Sequence, residues 1–270
     1  MSASQPLPAD LAAALARASD RMRPLASRVV WFDEVTSTND VAARLGEAGA
    51  GEGLLVAADG QTAGRGRRGR RWASPPSAGV YATVLLRPAP RVAALLTIAA
   101  GVAVAEGIQA ATGLAARLKW PNDLFVEGGT PPARRKLAGI LAEGGTSAAG
   151  PWVALGFGIN VLPAAWPPDV AARAAAIESE LGRSIDRSAL LAECLAALAA
   201  RYADLQSGRV DAVLDAWRAR AATTFGRTVE WDADGRARAG VAHDIDETGA
   251  LLVRADDGVQ RVISGEVRWR

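Results

Sequence analysis

Four short apolar runs, Ala116–Trp120, Leu124–Val126, Leu137–Glu143 and Trp152–Ile159, follow one another with Gly, Pro or Asn between them. Runs this short, broken by turn formers, cannot be helices of ordinary length and read as successive strands of one sheet, a meander. Glu127 to Arg135, with its Gly and Pro pairs, reads as a polar surface loop between the second and third. Ahead of the meander, strands are expected at Val29–Phe32, Leu54–Ala58 and Val80–Leu86. The flanking segments have a different grain. Asp10–Ser19, Arg91–Thr112, Ala171–Glu180, Arg187–Gln206 and Asp211–Thr223 carry Ala, Leu and Val at helical length. Thr36 to Asp40 supplies capping residues for a further helix to about Ala48, closed by Gly49 and Gly51. Strands and helices mixed in this way predict an α+β chain.

From Phe225 the grain changes again. Thr228–Trp231, Arg238–Ile245, Leu251–Arg254 and Gln260–Ile263 are short strands separated by Asp234-Gly235, Thr248-Gly249 and Asp257-Gly258 turns. The organisation expected is a helical lead over 1–27, a large domain over 28–223 and a small all-β domain over 224–270. A β domain this small is near the lower limit for independent stability and should dock on the large one.

Composition excludes several classes. No run approaches 20 apolar residues, so no membrane span is expected. Met1 to Asp10 lacks a basic and then apolar leader, and a cytoplasmic protein is expected. One cysteine, Cys194, and one histidine, His243, leave no disulfide framework and no His/Cys metal cluster. Cys194 falls on one helical face with Leu190, Leu191, Leu195 and Leu198 and reads as core, not as a nucleophile.

The charge is local. The 31 basic residues face 29 acidic ones, yet Arg65, Arg67, Arg68, Arg70 and Arg71 crowd five cations into Gly64–Trp72, and without them 26 basic residues face 29 acidic ones. Only two basic residues are lysines, Lys119 and Lys136. Codon bias accounts for the scarcity, but a lysine kept under that bias points to a place where a compact ammonium is needed.

Four segments carry chemistry. In Gly64-Arg65-Gly66-Arg67-Arg68-Gly69-Arg70-Arg71-Trp72 the glycines free backbone amides and the arginines offer planar donors, a combination suited to wrapping an anion. It is not a Walker loop, since no Gly-Lys-Ser/Thr follows, and its GxGxxG spacing leads to a strand, unlike the dinucleotide fingerprint. The plain alternative is an Arg/Gly patch for nucleic acid, which the acidic balance elsewhere opposes. Lys119-Trp120-Pro121-Asn122-Asp123 ends a strand where Pro121 forces a turn. Lys136-Leu137-Ala138-Gly139-Ile140-Leu141-Ala142-Glu143 opens a strand with an ammonium, and Gly139 permits close approach. Gly156-Phe157-Gly158-Ile159-Asn160-Val161 ends another, with two glycines leaving one edge open.

Together with Ser37-Thr38-Asn39 and Gln61, these segments in this order resemble the biotin protein ligases, over about residues 28 to 270. The resemblance implies a mixed-sheet catalytic domain related to class II aminoacyl-tRNA synthetases and lipoate ligases, followed by an SH3-like β-barrel whose end is Ser264-Gly265-Glu266-Val267. It implies ATP-dependent formation of biotinoyl-5′-AMP, with Mg²⁺, and transfer to one lysine of a biotin carboxyl carrier protein. Carried over by position, Ser37, Thr38, Asn39, Gln61, Arg65, Gly66, Arg67 and Lys136 would bind biotin. Arg67, Arg70, Trp72, Lys136 and Asn160 would meet the nucleotide, and Lys136, Arg67 and Asp123 would be catalytic. Asn122 and Asp123 are candidates for orienting Lys136, a metal or the attacking amine; no metal ligand is assigned. Some relatives carry an N-terminal DNA-binding domain, for which 27 residues are too few, so no DNA partner is expected. Monomer and homodimer both stay open. A lipoate or octanoate ligase is the runner-up within the same fold.

Overall fold

The computed structural model describes residues 4–128, 133–163, 166, 168–233, 235–263, 265 and 267–269. The larger part is built on a seven-stranded sheet. Its strands are β1 (Arg28–Val35), β2 (Leu54–Gln61), β3 (Gly79–Leu86), β4 (Arg117–Lys119), β5 (Asp123–Gly128), β6 (Ala133–Ser147) and β7 (Gly150–Asn160), in the order β1-β2-β3-β7-β6-β5-β4. Only β1 and β2 run parallel; every other neighbour is antiparallel. The four runs of the meander are adjacent in sequence and in space, as their turn formers require.

The helices are α1 (Ala9–Met22), α2 (Thr38–Glu47), α3 (Pro90–Ala93), α4 (Leu96–Thr112), α5 (Pro168–Ala171), α6 (Ile177–Leu181), α7 (Arg187–Gln206) and α8 (Val210–Arg220). Strand periodicity explains how they are shared between the two faces. On β3, Val80, Ala82, Val84 and Leu86 join the core under α1, α4 and α7, whereas Leu85 joins a second cluster under α2 with Phe32, Val56 and Trp152. Both faces of β3 are covered and all eight of its residues are buried. Cys194 is fully buried in the α7 stripe, and burial pushes its thiol far above its ordinary range. Among the described residues no helix is long and apolar enough to cross a membrane.

The C-terminal part is a five-stranded antiparallel sheet, β8 (Thr228–Ala233), β9 (Arg236–Ile245), β10 (Leu251–Ala255), β11 (Gly258–Val262) and β12 (Val267–Trp269), ordered β11-β10-β9-β8-β12. Its apolar face, including Val229, Ile245 and Leu251, is continuous with the main core. Polar links reinforce the docking. Trp120 Nε1 donates to Gly249 O at 2.9 Å, Thr224 Oγ1 to Leu118 O at 2.8 Å, and Arg218 to Asp244 at 2.8 Å.

Several expectations need correction. Arg91–Thr112 is two helices, because a tight turn in which Leu95 N donates to Val92 O separates α3 from α4. Ala171–Glu180 is not one helix either. Residues 172–176 leave α5 and pair with the backbone of Lys136, Lys136 N donating to Arg173 O at 2.6 Å and Ala175 N to Lys136 O at 2.8 Å. The alanines that suggested helix are there to be buried: Ala174, Ala175 and Ala176 are all core. Most of the expected 127–135 loop is strand, since Glu127 pairs with Arg134 and Gly128 with Ala133; the rest of it lies outside the described residues. Lys136 therefore sits inside β6 and does not open it. Strand β12 was not expected, and Ser264, Glu266 and Asp234 lie outside the described residues.

Candidate active site

A cavity of about 730 Å³ opens on the α2 side of the sheet, and a second of about 800 Å³ shares its Trp72, Lys119, Asp123 and Lys136 walls. Strand alternation builds the floor. With Ala138, Ile140, Phe157 and Ile159 in the main core, Gly139, Gly156 and Gly158 face the other way. Gly139 and Gly158 are register partners across β6 and β7. Trp72 lies on this pair: a Cβ at Gly158 would fall 2.4 Å from its Nε1, and one at Gly139 3.2 Å from its Cζ3. The expected open edge is therefore an open face. Strand β7 is paired on both sides, and its glycines make room above the sheet for an indole and, at Gly156, for Asn39.

The Arg loop forms the roof. Its limbs are tied by Gly66 N to Arg70 O at 2.7 Å and Trp72 N to Gly64 O at 2.8 Å. Between them Arg67–Gly69 makes a 3₁₀ turn in which Arg68, at φ 57°, and Gly69, at φ 72°, are left-handed. Such a φ costs a non-glycine residue energy and bends the loop sharply enough to bring both limbs over the cavity. Arg65 leaves the roof to pair with Asp40 at 2.5 Å and Glu143 at 2.6 Å, contacts that raise its pKa. Arg67 points inward, donating to Asn122 Oδ1 at 3.3 Å, and desolvation lowers its pKa.

Lys136 Nζ lies 2.6 Å from Asp123 Oδ1 and 5.2 Å from the centroid of the Trp72 ring, so carboxylate and indole face together locate the ammonium. Asn122 Nδ2 donates to Ile140 O at 2.9 Å, which fastens the Pro121 turn to β6. Lys119, at the end of β4, lies 6.0 Å from the Trp269 ring of β12, and desolvation lowers its pKa against the pull of Asp123. Nine cationic side chains line the first cavity, and among the described residues Asp123 is the one carboxylate there. A wall so composed favours polyanions.

Beyond the lysines the floor is neutral and polar. Ser37, Thr38 and Asn39 are buried at the start of α2. Gln61 Oε1 accepts from Thr38 N at 2.8 Å, and its Nε2 donates to Ser74 Oγ at 2.8 Å. Thus Ser37, Thr38, Asn39, Gln61, Arg65, Gly66, Arg67, Arg70, Trp72, Asp123 and Lys136 all border one cavity. Asn160 stands apart, buried at the end of β7 and bordering the second cavity. Its Nδ2 donates to Lys136 O at 3.3 Å and Ala175 O at 3.0 Å, holding the 172–176 segment against the strand of Lys136. Thr83, Glu143, Arg173 and Trp269 were not picked out from the sequence. Of these only Glu143 carried a signal, closing the KLAGILAE run at the spacing that shares a face with Gly139.

Comparison with known proteins gives a consistent result. The pattern of the Biotin/lipoate A/B protein ligase family matches residues 31–160, and that of the biotin protein ligase C terminal domain matches 224–268. The biotin–[acetyl-CoA-carboxylase] ligase of Paracoccus denitrificans is 36% identical over 86% of this chain and 96% of its own. That of Mycobacterium tuberculosis is 34% identical over 86% and 85%. Among solved structures, a biotin protein ligase from Aquifex aeolicus in complex with biotin and ATP superposes with a TM-score of 0.76 at 27% identity, covering 90% of this chain and 98% of that one.

Proposed function

The chain belongs to the biotin protein ligases, and from that membership we infer how its own residues serve the reaction. The enzyme activates biotin with ATP and transfers it to the carboxylase's acceptor lysine. In the first step a biotin carboxylate oxygen attacks the α-phosphorus of ATP, forming biotinoyl-5′-AMP and releasing pyrophosphate. In the second a neutral lysine amine attacks the acyl carbon, AMP leaves, and the amine loses a proton.

The first step brings two anions together, and the convergence of Lys136, Lys119 and Arg67 around a single carboxylate is the observation that carries the reading. We assign Lys136 to the carboxylate and α-phosphate oxygens as a point charge held by Asp123, an arrangement that stabilises charge developing in the transition state. Arg67, fixed by Asn122, is assigned to phosphate, and Arg70 to the nucleotide. Ser37, Thr38, Asn39, Gln61, Arg65 and Gly66 are assigned to biotin. Trp72 caps the acyl-adenylate and keeps water from it. Asn160 acts on the nucleotide end through the segment it pins beside Lys136. Residues 28–223 are taken as the catalytic unit, with 224–270 closing it through β12.

Mg²⁺ belongs to the reading as the ion that neutralises the ATP phosphates. Among the described residues no three His, Cys, Asp or Glu side chains converge, and Asp123 is already engaged by Lys136. That donor set suits an ion carried in by phosphates and water, not a protein cage. The test is to incubate the enzyme with biotin, MgATP and a carboxylase biotin-carrier domain and to weigh the carrier. Its mass should rise by one biotinyl group, with pyrophosphate released only when biotin and MgATP are both present. A carrier left unmodified with biotin, but modified when lipoate or octanoate is supplied in its place, would overturn the reading.

A further inference from the structure

Behind the floor of the cavity runs a chain of hydrogen bonds in which each link has one allowed direction. Asn39 fixes the sense. The two atoms facing its Nδ2, Leu141 O at 3.4 Å and Glu143 Oε2 at 3.1 Å, are acceptors. The amide nitrogen must therefore face β6, and Oδ1 must face Thr83 Oγ1, 2.7 Å away. A hydroxyl carries one proton, and Thr83 spends its proton on Asn39. Thr83 Oγ1 also lies 2.9 Å from Thr38 Oγ1, and two oxygens so close need a proton between them, which Thr38 alone has left to supply. Gln61 Oε1, 3.2 Å from Thr38 Oγ1, is then served by the Thr38 backbone N–H at 2.8 Å. Gln61 Nε2 donates to Ser74 Oγ, whose proton goes to Trp72 O at 3.2 Å. At the other end Glu143 Oε1 accepts from Arg65. The chain begins and ends on the two limbs of the Arg loop.

This direction has a chemical consequence. Among the described residues, Thr38 Oγ1 keeps lone pairs and no free proton, while Gln61 Nε2 keeps one unspent N–H. The floor thus offers an acceptor beside a donor, the complement of an N–H next to a carbonyl, as in a cyclic urea. We propose that Thr83 and Glu143 are positioning residues that lock Thr38 as an acceptor, so that the floor admits ligands presenting an N–H donor there. Thr83 is fully buried, and among the described residues its hydroxyl meets Asn39 and Thr38 alone. Gly156 makes the arrangement sterically open, since a Cβ there would fall 1.9 Å from Asn39 Oδ1.

The proposal rests on the biotin reading, and the test separates the two. The native enzyme, Thr83→Val, Thr83→Ser and Glu143→Gln are titrated calorimetrically, without ATP, with biotin and with biotin methylated on its ureido nitrogens. The native enzyme and Thr83→Ser should prefer biotin by about tenfold or more, the effect expected where a buried polar group is left unpaired. Thr83→Val should lose about tenfold in biotin affinity and most of the preference, because the freed Thr38 hydroxyl can turn and donate. Glu143→Gln should fall between, since Leu141 O still orients Asn39. A Thr83→Val enzyme that keeps the full preference overturns the proposal. Native enzyme that binds lipoate and no biotin overturns the biotin reading instead. The ring is then judged on the ligand-free protein, where the side-chain amide resonances of Asn39 should shift in Thr83→Val and not in Thr83→Ser; equal spectra would overturn it.

Discussion

Trp72 rests on Gly158 so closely that a single methyl group on that glycine would fall 2.4 Å from the indole Nε1, inside contact distance. The roof of the site is therefore seated by the absence of a side chain on the floor. Gly158→Ala should leave the strand intact, because its closest contacts are all atoms of that one movable indole. The expected result is a native-like unfolding midpoint, with adenylate formation or retention impaired on the order of 10²-fold, the effect of misplacing a catalytic wall by an ångström. Release of labelled biotinoyl-AMP from the isolated complex measures it. Gly51→Ala, which enters open space, is the control. Unchanged retention in Gly158→Ala would show that the indole is not the lid.

Lys136 is held by a carboxylate on one side and a ring face on the other, a socket sized for a compact ammonium. Lys136→Arg keeps the charge and replaces the point donor with a wide planar fork. It should lower single-turnover adenylate formation by about 10²-fold, as when one preorganised donor is lost, with biotin affinity changed much less. Pyrophosphate release at saturating biotin and ATP reads the outcome directly. A variant within about threefold of native, small beside the loss of a preorganised donor, would remove Lys136 from the central role.

The two lysines illustrate what could be read in the sequence. Lys119 and Lys136 stood out against an arginine-rich background and both line the cavity. Gly139 of β6 was legible as a place of close approach, because a residue without a side chain inside a strand makes room there. The glycines of β7, by contrast, were read as an open edge and make an open face instead. What approaches them was not legible. Trp72 comes from a loop over 60 residues away, and its partner is fixed by register, which no local pattern encodes. The same limit hid Thr83 and Trp269. The alanines at 174–176 misled for another reason: helix propensity is weak, and pairing with the Lys136 backbone outweighed it.

Trp120 Nε1 donates to Gly249 O across 129 residues, joining the turn that carries Asn122 and Asp123 to the C-terminal sheet. Trp120→Phe keeps the aromatic ring and leaves that buried carbonyl without a partner. Stability should fall by about 1–3 kcal/mol, the cost of an unmet buried hydrogen bond, measured by urea unfolding. A loss below about 0.5 kcal/mol, the scale of an ordinary surface change, would assign the docking to apolar contacts alone.

Lys119 gives the chain a stability that depends on pH in a known direction. Desolvation places its folded pKa below the unfolded value, so between the two the unfolded chain binds the extra proton and stability rises with pH. At neutral pH the protonated ammonium is therefore a net cost to the free enzyme, retained for the anion it meets. Lys119→Met should raise the thermal midpoint of the ligand-free protein at neutral pH. That advantage should shrink as pH rises through the folded pKa, because the native side chain then sheds its charge as well. The same variant should bind ATP more weakly, with the deficit largest at low salt, where the lost attraction is least screened. Calorimetric unfolding at about pH 7 and about pH 10, the latter close to the ordinary lysine pKa, compares the two proteins. A midpoint lowered by Lys119→Met at both values would mean that contacts of the lysine stem, and not the buried charge, dominate at this position.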